Sequence, residues 1–138
     1  MKEASWNDCC ETGSTRVITP DVAHATSLHD TALARLSFLD QELTEENANF
    51  VFEGLYSSLL ELLHAHLIQE GYKVHNHICV GYYLRDELKN KKLFRAFDDC
   101  RYKRNGLVYY GKHMPFEVAQ ESIRNIHELI TEVQDLVP

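Results

Sequence analysis

Ala119, Ile123, Ile126, Ile130, Val133 and Val137 follow one another at alternating steps of four and three. That spacing gathers side chains on one stripe of an α-helix and scatters them over both faces of a strand. Pro115 stands where a first-turn proline would open the helix. The same period recurs upstream. Ala25, Leu28, Ala32, Leu36, Leu39 and Leu43 predict a helix over about 20–43, opened by Thr19-Pro20-Asp21 as cap, proline and dipole-matched acid. Thr44-Glu45-Glu46-Asn47 predicts a second start. From Phe50 to Gly71 apolar residues cover most of the helix circumference, as in a helix with neighbours on several sides. Tyr72 to His77 reads as a connection, Ile78 to Leu88 as a shorter third helix interrupted by Gly81, and Lys91 to Tyr110 as a fourth, capped by Asn90 and closed by Gly111. No segment carries the period of a strand. The expectation is an all-α, up-and-down helical bundle of four to five helices, one domain over 19–138. Residues 1–18, rich in Gly, Ser, Thr, Asn and Asp, read as a flexible tail with Trp6 as its one strong anchor.

A chain of 138 residues suffices for a core without disulfides or metal. It contains no apolar run of the roughly 20 residues that would cross a bilayer, and its first sixteen residues hold no apolar stretch suited to a signal peptide. A cytoplasmic protein with no membrane partner is therefore expected. Cys9, Cys10, Cys79 and Cys100 match neither a disulfide framework nor a zinc spacing. They are read as reduced thiols, with Cys79 and Cys100 packed. His75, His77 and Cys79 alternate, but a metal site there lacks a fourth ligand, and His64 and His66, two apart on a helix, point in separate directions. No metal and no cofactor are expected. Phosphate-cradling glycine loops, metalloprotease helices and nucleophile elbows are absent from the sequence.

The net charge of −7 argues against a nucleic-acid partner until its distribution is considered. From Arg85 to Lys112 there are nine basic residues against four acidic ones, a local balance of +5 that leaves −12 for the remainder. Such segregation leads to the expectation that one surface meets an anion while the rest keeps the protein soluble. Within that segment Arg101, Asn105 and Tyr109 fall on one helical stripe, with Arg104 on the adjoining one. A guanidinium offers a planar fork of donors to a phosphate, an amide donates and accepts beside it, and a phenol adds a hydroxyl and a flat ring. Asn105 and Gly106 are poor helix formers inside an otherwise strong helix, so something other than helix stability chose them.

Arg104-Asn105-Gly106-Leu107-Val108-Tyr109 resembles the Arg-x4-His motif, commonly written Arg-Asn-x3-His, of the HEPN (higher eukaryotes and prokaryotes nucleotide-binding) domains. The long second helix ending in Leu67-Ile68-Gln69-Glu70-Gly71-Tyr72, the stretch from His75 to Leu84 and the segment from Pro115 to Ile130 stand in the order found in small prokaryotic members, so the resemblance covers about 20–137. It implies a homodimer whose motif helices meet over a composite cleft. In active members the arginine and histidine serve metal-independent RNA cleavage, and many members are toxins or partners of a small nucleotidyltransferase. Carried over by position, Arg104 contacts phosphate, Asn105 supports the geometry, and Tyr109 occupies the histidine position. These three are the candidate catalytic residues. Arg101, Lys103, Arg104 and Tyr110 are the candidate phosphate- or nucleotide-binding residues.

Tyr109 is a departure with consequences. Imidazole titrates at about 6.5 and suits general-base work near neutrality, whereas a phenol at about 10 stays protonated. A family tyrosine that receives nucleotides from a partner enzyme falls on Gly111, with Tyr110 one residue short. His113, nine residues past Arg104, is a substitute base only if the fold brings it to the cleft. Tyr82, Tyr83, Phe94 and Phe97 are expected in the core or at a dimer contact. The favoured reading is a HEPN-like binding module for nucleotide or RNA phosphate, or for a nucleotidyltransferase in a toxin–antitoxin-like pair, its nuclease chemistry weak or lost. The alternatives are an active ribonuclease toxin and a helical scaffold that never meets RNA.

Overall fold

The computed structural model describes residues 2–136, so Val137, the last position of the C-terminal seam, lies outside the described residues. Six α-helices run in the order α1 (Trp6–Thr12), α2 (Val22–Phe38), α3 (Ala48–Glu70), α4 (His77–Tyr82), α5 (Lys91–Tyr110) and α6 (Phe116–Leu136). Two short strands, β1 (Thr15–Val17) and β2 (Tyr72–Val74), pair antiparallel with Thr15 opposite Val74 and Val17 opposite Tyr72. The all-α expectation holds, with this ribbon added.

Helix α3 is the centre. Phe52, Leu55, Tyr56, Leu59, Leu62 and Leu63 are buried around it, because α2 covers one side while α6, α5 and β2 take the others. The α6 seam of Ala119, Ile123, Ile126, Ile130 and Val133 is buried as its period requires. Helix α2 is shorter than predicted. It stops at Phe38, yet Leu39 and Leu43 still pack against the core from the turn that follows. That turn is held by Thr44 and Asn47, whose backbone amides each donate to the other's side-chain oxygen (2.8 and 3.1 Å). Local side-chain bonds have displaced another helical turn.

Residues 2–17 are not a loose tail. Ser5 caps α1, accepting from the amide of Asp8 at 3.1 Å. Trp6 lies edge-on to Tyr72 and Tyr83, with centroids 5.3 and 5.2 Å away, and its amide donates to Asp86 at 2.8 Å. Cys9 is bonded to Cys79, Cα atoms 6.1 Å apart, which corrects the reading of these two as reduced thiols. Cys10 and Cys100 are free, and burial pushes the Cys100 thiol up to about 12. A few strong anchors thus replace the apolar period that the segment lacks.

Gly81 has a packing reason. A Cβ there would come within 3.1 Å of Phe94 and 3.3 Å of Phe97, so α4 approaches α5 too closely for a side chain. Phe97 is fully buried on Tyr56 and half-buried Phe94 is stacked on Tyr82, so a side chain at Gly81 has to displace packed rings. Gly81→Val is therefore expected to cost about 1–3 kcal/mol through overpacking, read as a lower urea midpoint. After α4 the chain makes a π-helical turn over Tyr83–Glu87, closed by the bond from the Leu88 amide to the Tyr83 carbonyl at 3.1 Å. No described helix is long and apolar enough to cross a membrane.

Candidate functional site

Helix α5 carries the predicted stripe as expected. Arg101, Asn105 and Tyr109 line one cleft of about 480 Å³. The opposite wall comes from Ser14 and from His75, Asn76, His77 and Ile78, where β2 passes into α4. Asn76 sets that junction: its side chain accepts from the Ile78 amide at 3.1 Å, ending the strand and starting the helix. The His75 amide donates to the Ser14 carbonyl at 2.8 Å, tying the wall to the N-terminal segment.

Arg104, half-buried on the adjoining stripe of α5, is not itself among the residues lining this cleft and reaches it through Asn105 and Tyr109. Its Nη1 donates to Asn105 Oδ1 at 3.3 Å and to the Tyr109 hydroxyl at 3.4 Å. Its guanidinium carbon sits 5.6 Å from the ring centroid of Tyr56 and 5.5 Å from that of Tyr109, within cation–π range of both. The basic side chains around it are differently placed. Arg101 pairs with Asp98 at 2.8 Å and Lys103 with Asp99 at 2.9 Å, both on the same helix. Arg104 pairs with no carboxylate among the described residues.

Tyr56 joins the two walls. It is buried, and its hydroxyl lies 3.2 Å from His77 Nδ1. Burial raises the Tyr56 pKa, against the opposing pull of Arg104 and Arg101, so the phenol keeps its proton. Burial, followed by Arg104 and Arg101, lowers the His77 pKa, so the ring is neutral near pH 7. Which of the two donates follows the imidazole tautomer, and the neutral ring has one donor and one acceptor nitrogen. Chemically the arrangement is a set of donors from both walls around one space, suited to phosphoryl oxygens.

Other candidates fall elsewhere. Lys103 and Tyr110 line a neighbouring groove, together with Tyr102 and His113. His113 contacts Phe50 edge-on at 5.9 Å and does not reach the Arg101 cleft. Tyr83 and Phe97 are core residues, while Tyr82 and Phe94 are half-buried, with the Arg85 guanidinium carbon 4.6 and 5.2 Å from their centroids. Cys79, held in its disulfide, is removed as a ligand beside His75, and among the described residues no group of three His, Cys, Asp or Glu is placed to hold a metal ion.

The residues that sequence reasoning missed are His75, His77 and Tyr56. The one available signal was the alternation of His75 and His77 on either side of Asn76, the residue that caps α4. Comparison with known proteins adds no relative: no family model, no curated protein and no solved structure matches the chain.

Proposed function

We propose that this chain is a HEPN-like helical module that binds the phosphate of a nucleotide or of RNA in the cleft between α5 and the β2–α4 junction, its nuclease chemistry weak or lost. Dimerisation and docking of a nucleotidyltransferase, as in toxin–antitoxin-like pairs, belong to the same reading. The observation that carries it is the lining of the cleft: Arg101, Asn105 and Tyr109 of α5 stand across from Ser14, His75, Asn76 and His77 with no carboxylate among the lining residues. Arg104, bonded to Asn105 and Tyr109 and paired with no carboxylate among the described residues, adds a second guanidinium beside it. Tyr109 in the motif's histidine position supports binding over base catalysis.

A ribonuclease remains the second reading because His75, an exposed imidazole, lies on the wall facing Arg101 and Asn105. One experiment addresses both. Labelled single-stranded RNA is titrated with the wild type, the Arg101→Ala/Arg104→Ala variant and, as a control for loss of a surface cation elsewhere, Arg124→Ala on the exposed face of α6. Each lost charged contact is worth roughly tenfold in affinity, so the double variant should bind at least ten times more weakly while Arg124→Ala stays within about twofold. Wild-type affinity should also fall steeply with salt. Equal affinity of all three proteins would refute the binding reading. In chelator the wild type is expected to leave the RNA intact, and scission giving cyclic-phosphate ends that His75→Ala abolishes would establish the ribonuclease instead.

A further inference from the structure

Gly106 is unexplained by the chain's own packing. Glycine is a poor helix former, its φ here is not positive, and a Cβ added to it would meet only the Lys112 Cβ, at an ordinary 3.8 Å. At Gly81 a side chain presses on its neighbours; at Gly106 they leave one ample room. What the missing side chain leaves is open space, for Gly106 lines a groove of about 590 Å³ between α5 and the turn from Gly111 to Pro115.

The groove is built to stay open. Asn49, buried on α3, donates to the Met114 carbonyl at 3.0 Å and accepts from the Met114 amide at 2.8 Å, which fixes the far wall. The Lys112 amide donates to the Gly106 carbonyl at 3.0 Å, fixing the floor. Tyr102, Tyr109 and Tyr110 stand around it 76, 66 and 77% exposed, so large flat rings face water with little to cover them. The charged or titratable side chains of the lining, tyrosines aside, are Lys103, Lys112 and His113, with no carboxylate among them. A second copy seated there about a two-fold axis would set Lys103 and Lys112 near their own images, an unfavourable juxtaposition. An anion bearing flat rings meets no such conflict. Asn105 and Tyr109 line both this groove and the cleft, so the two spaces adjoin across these side chains.

We propose that the groove is a stacking subsite for an unpaired nucleobase, adjoining the phosphate held in the cleft, so that the ligand is single-stranded RNA and not a duplex. The proposal rests on the phosphate-binding reading above and adds a ligand class to it. Bases stack on aromatic side chains with little regard to sequence, and each such contact changes affinity by roughly tenfold. A duplex keeps its bases paired and loses that contribution.

Gly106→Leu provides the test. Leucine is a strong helix former and fills the groove, so the variant should melt no lower than the wild type. It should bind a single-stranded oligoribonucleotide at least tenfold more weakly, while its affinity for inorganic pyrophosphate, which needs only the cleft, stays unchanged. Tyr110→Ala, at an exposed position, should show the same divergence and serves if Gly106→Leu fails to fold. Unchanged RNA affinity in both variants would overturn the subsite and leave the phosphate reading standing. A Gly106→Leu protein that keeps its RNA affinity but changes its sedimentation coefficient would show the groove to be occupied by a second copy. Wild-type protein that binds neither RNA nor pyrophosphate would remove the cleft reading and the subsite with it.

Discussion

Reducing the Cys9–Cys79 bond is expected to lower the unfolding free energy by about 4 kcal/mol, the value that loop-closure entropy assigns to a cross-link closing a loop of this size. The sequence separation is 70 residues, so the bond constrains half of the unfolded chain. The native protein also depends on it locally, because α1 is a helix of seven residues with only Trp6 and Cys9 buried. Such a helix does not persist in water without tertiary anchors. Urea titrations of the wild type with and without reductant, and of the Cys9→Ala/Cys79→Ala variant, measure the effect. Amide exchange should rise first in α1 and β1, then at the His75 amide that β1's neighbour Ser14 holds. Coincident titration curves would mean that Trp6 and the ribbon alone secure the segment.

Mild acid should come next in size. His64 sits partly buried on α3, and burial, with His77 and His75 nearby, holds its pKa down to about 4. In the unfolded chain the ring titrates near 6.5, so between these values the unfolded state takes up a proton that the folded state refuses. Stability is therefore full above pH 6.5 and falls as the pH drops toward 4, by roughly 3 kcal/mol if the whole interval is expressed. His77 and His66, also lowered chiefly by burial, act in the same direction. His64→Gln should lose less stability than the wild type between pH 7 and pH 4.5, measured as the difference in urea midpoint. A variant whose midpoint falls as far as the wild type's would assign the acid sensitivity to other groups.

The helical framework was legible because period is a property of single segments. The α6 seam and the all-round apolar α3 each declared themselves in about twenty residues. The Arg101, Asn105 and Tyr109 stripe was legible for the same reason, since steps of four return to one face whatever the rest of the chain does. The other half of the cleft obeyed no such local rule. Each strand of the ribbon is three residues long, too short to display an alternation, and β1 exists only because β2 is beside it. The partners Cys9 and Cys79 are joined across α2, α3 and β2, and nothing in their neighbourhoods announces the pairing. His75 and His77 became cleft residues through that same long-range ribbon, while Tyr56 looked like any buried aromatic of α3 until its hydroxyl met His77. Long-range geometry assembled what local spacing could not.

The placement of Lys2 and Glu3 has a practical consequence. They help to line a cavity of about 590 Å³ that shares Asn76, Ile78 and Arg101 with the cleft. An affinity tag or fluorescent fusion attached ahead of them would hang beside the cleft proposed for phosphate. A weak signal in the RNA titration of an N-terminally tagged protein would then report the bulk of the tag as much as the cleft, so the handle is removed before the measurement.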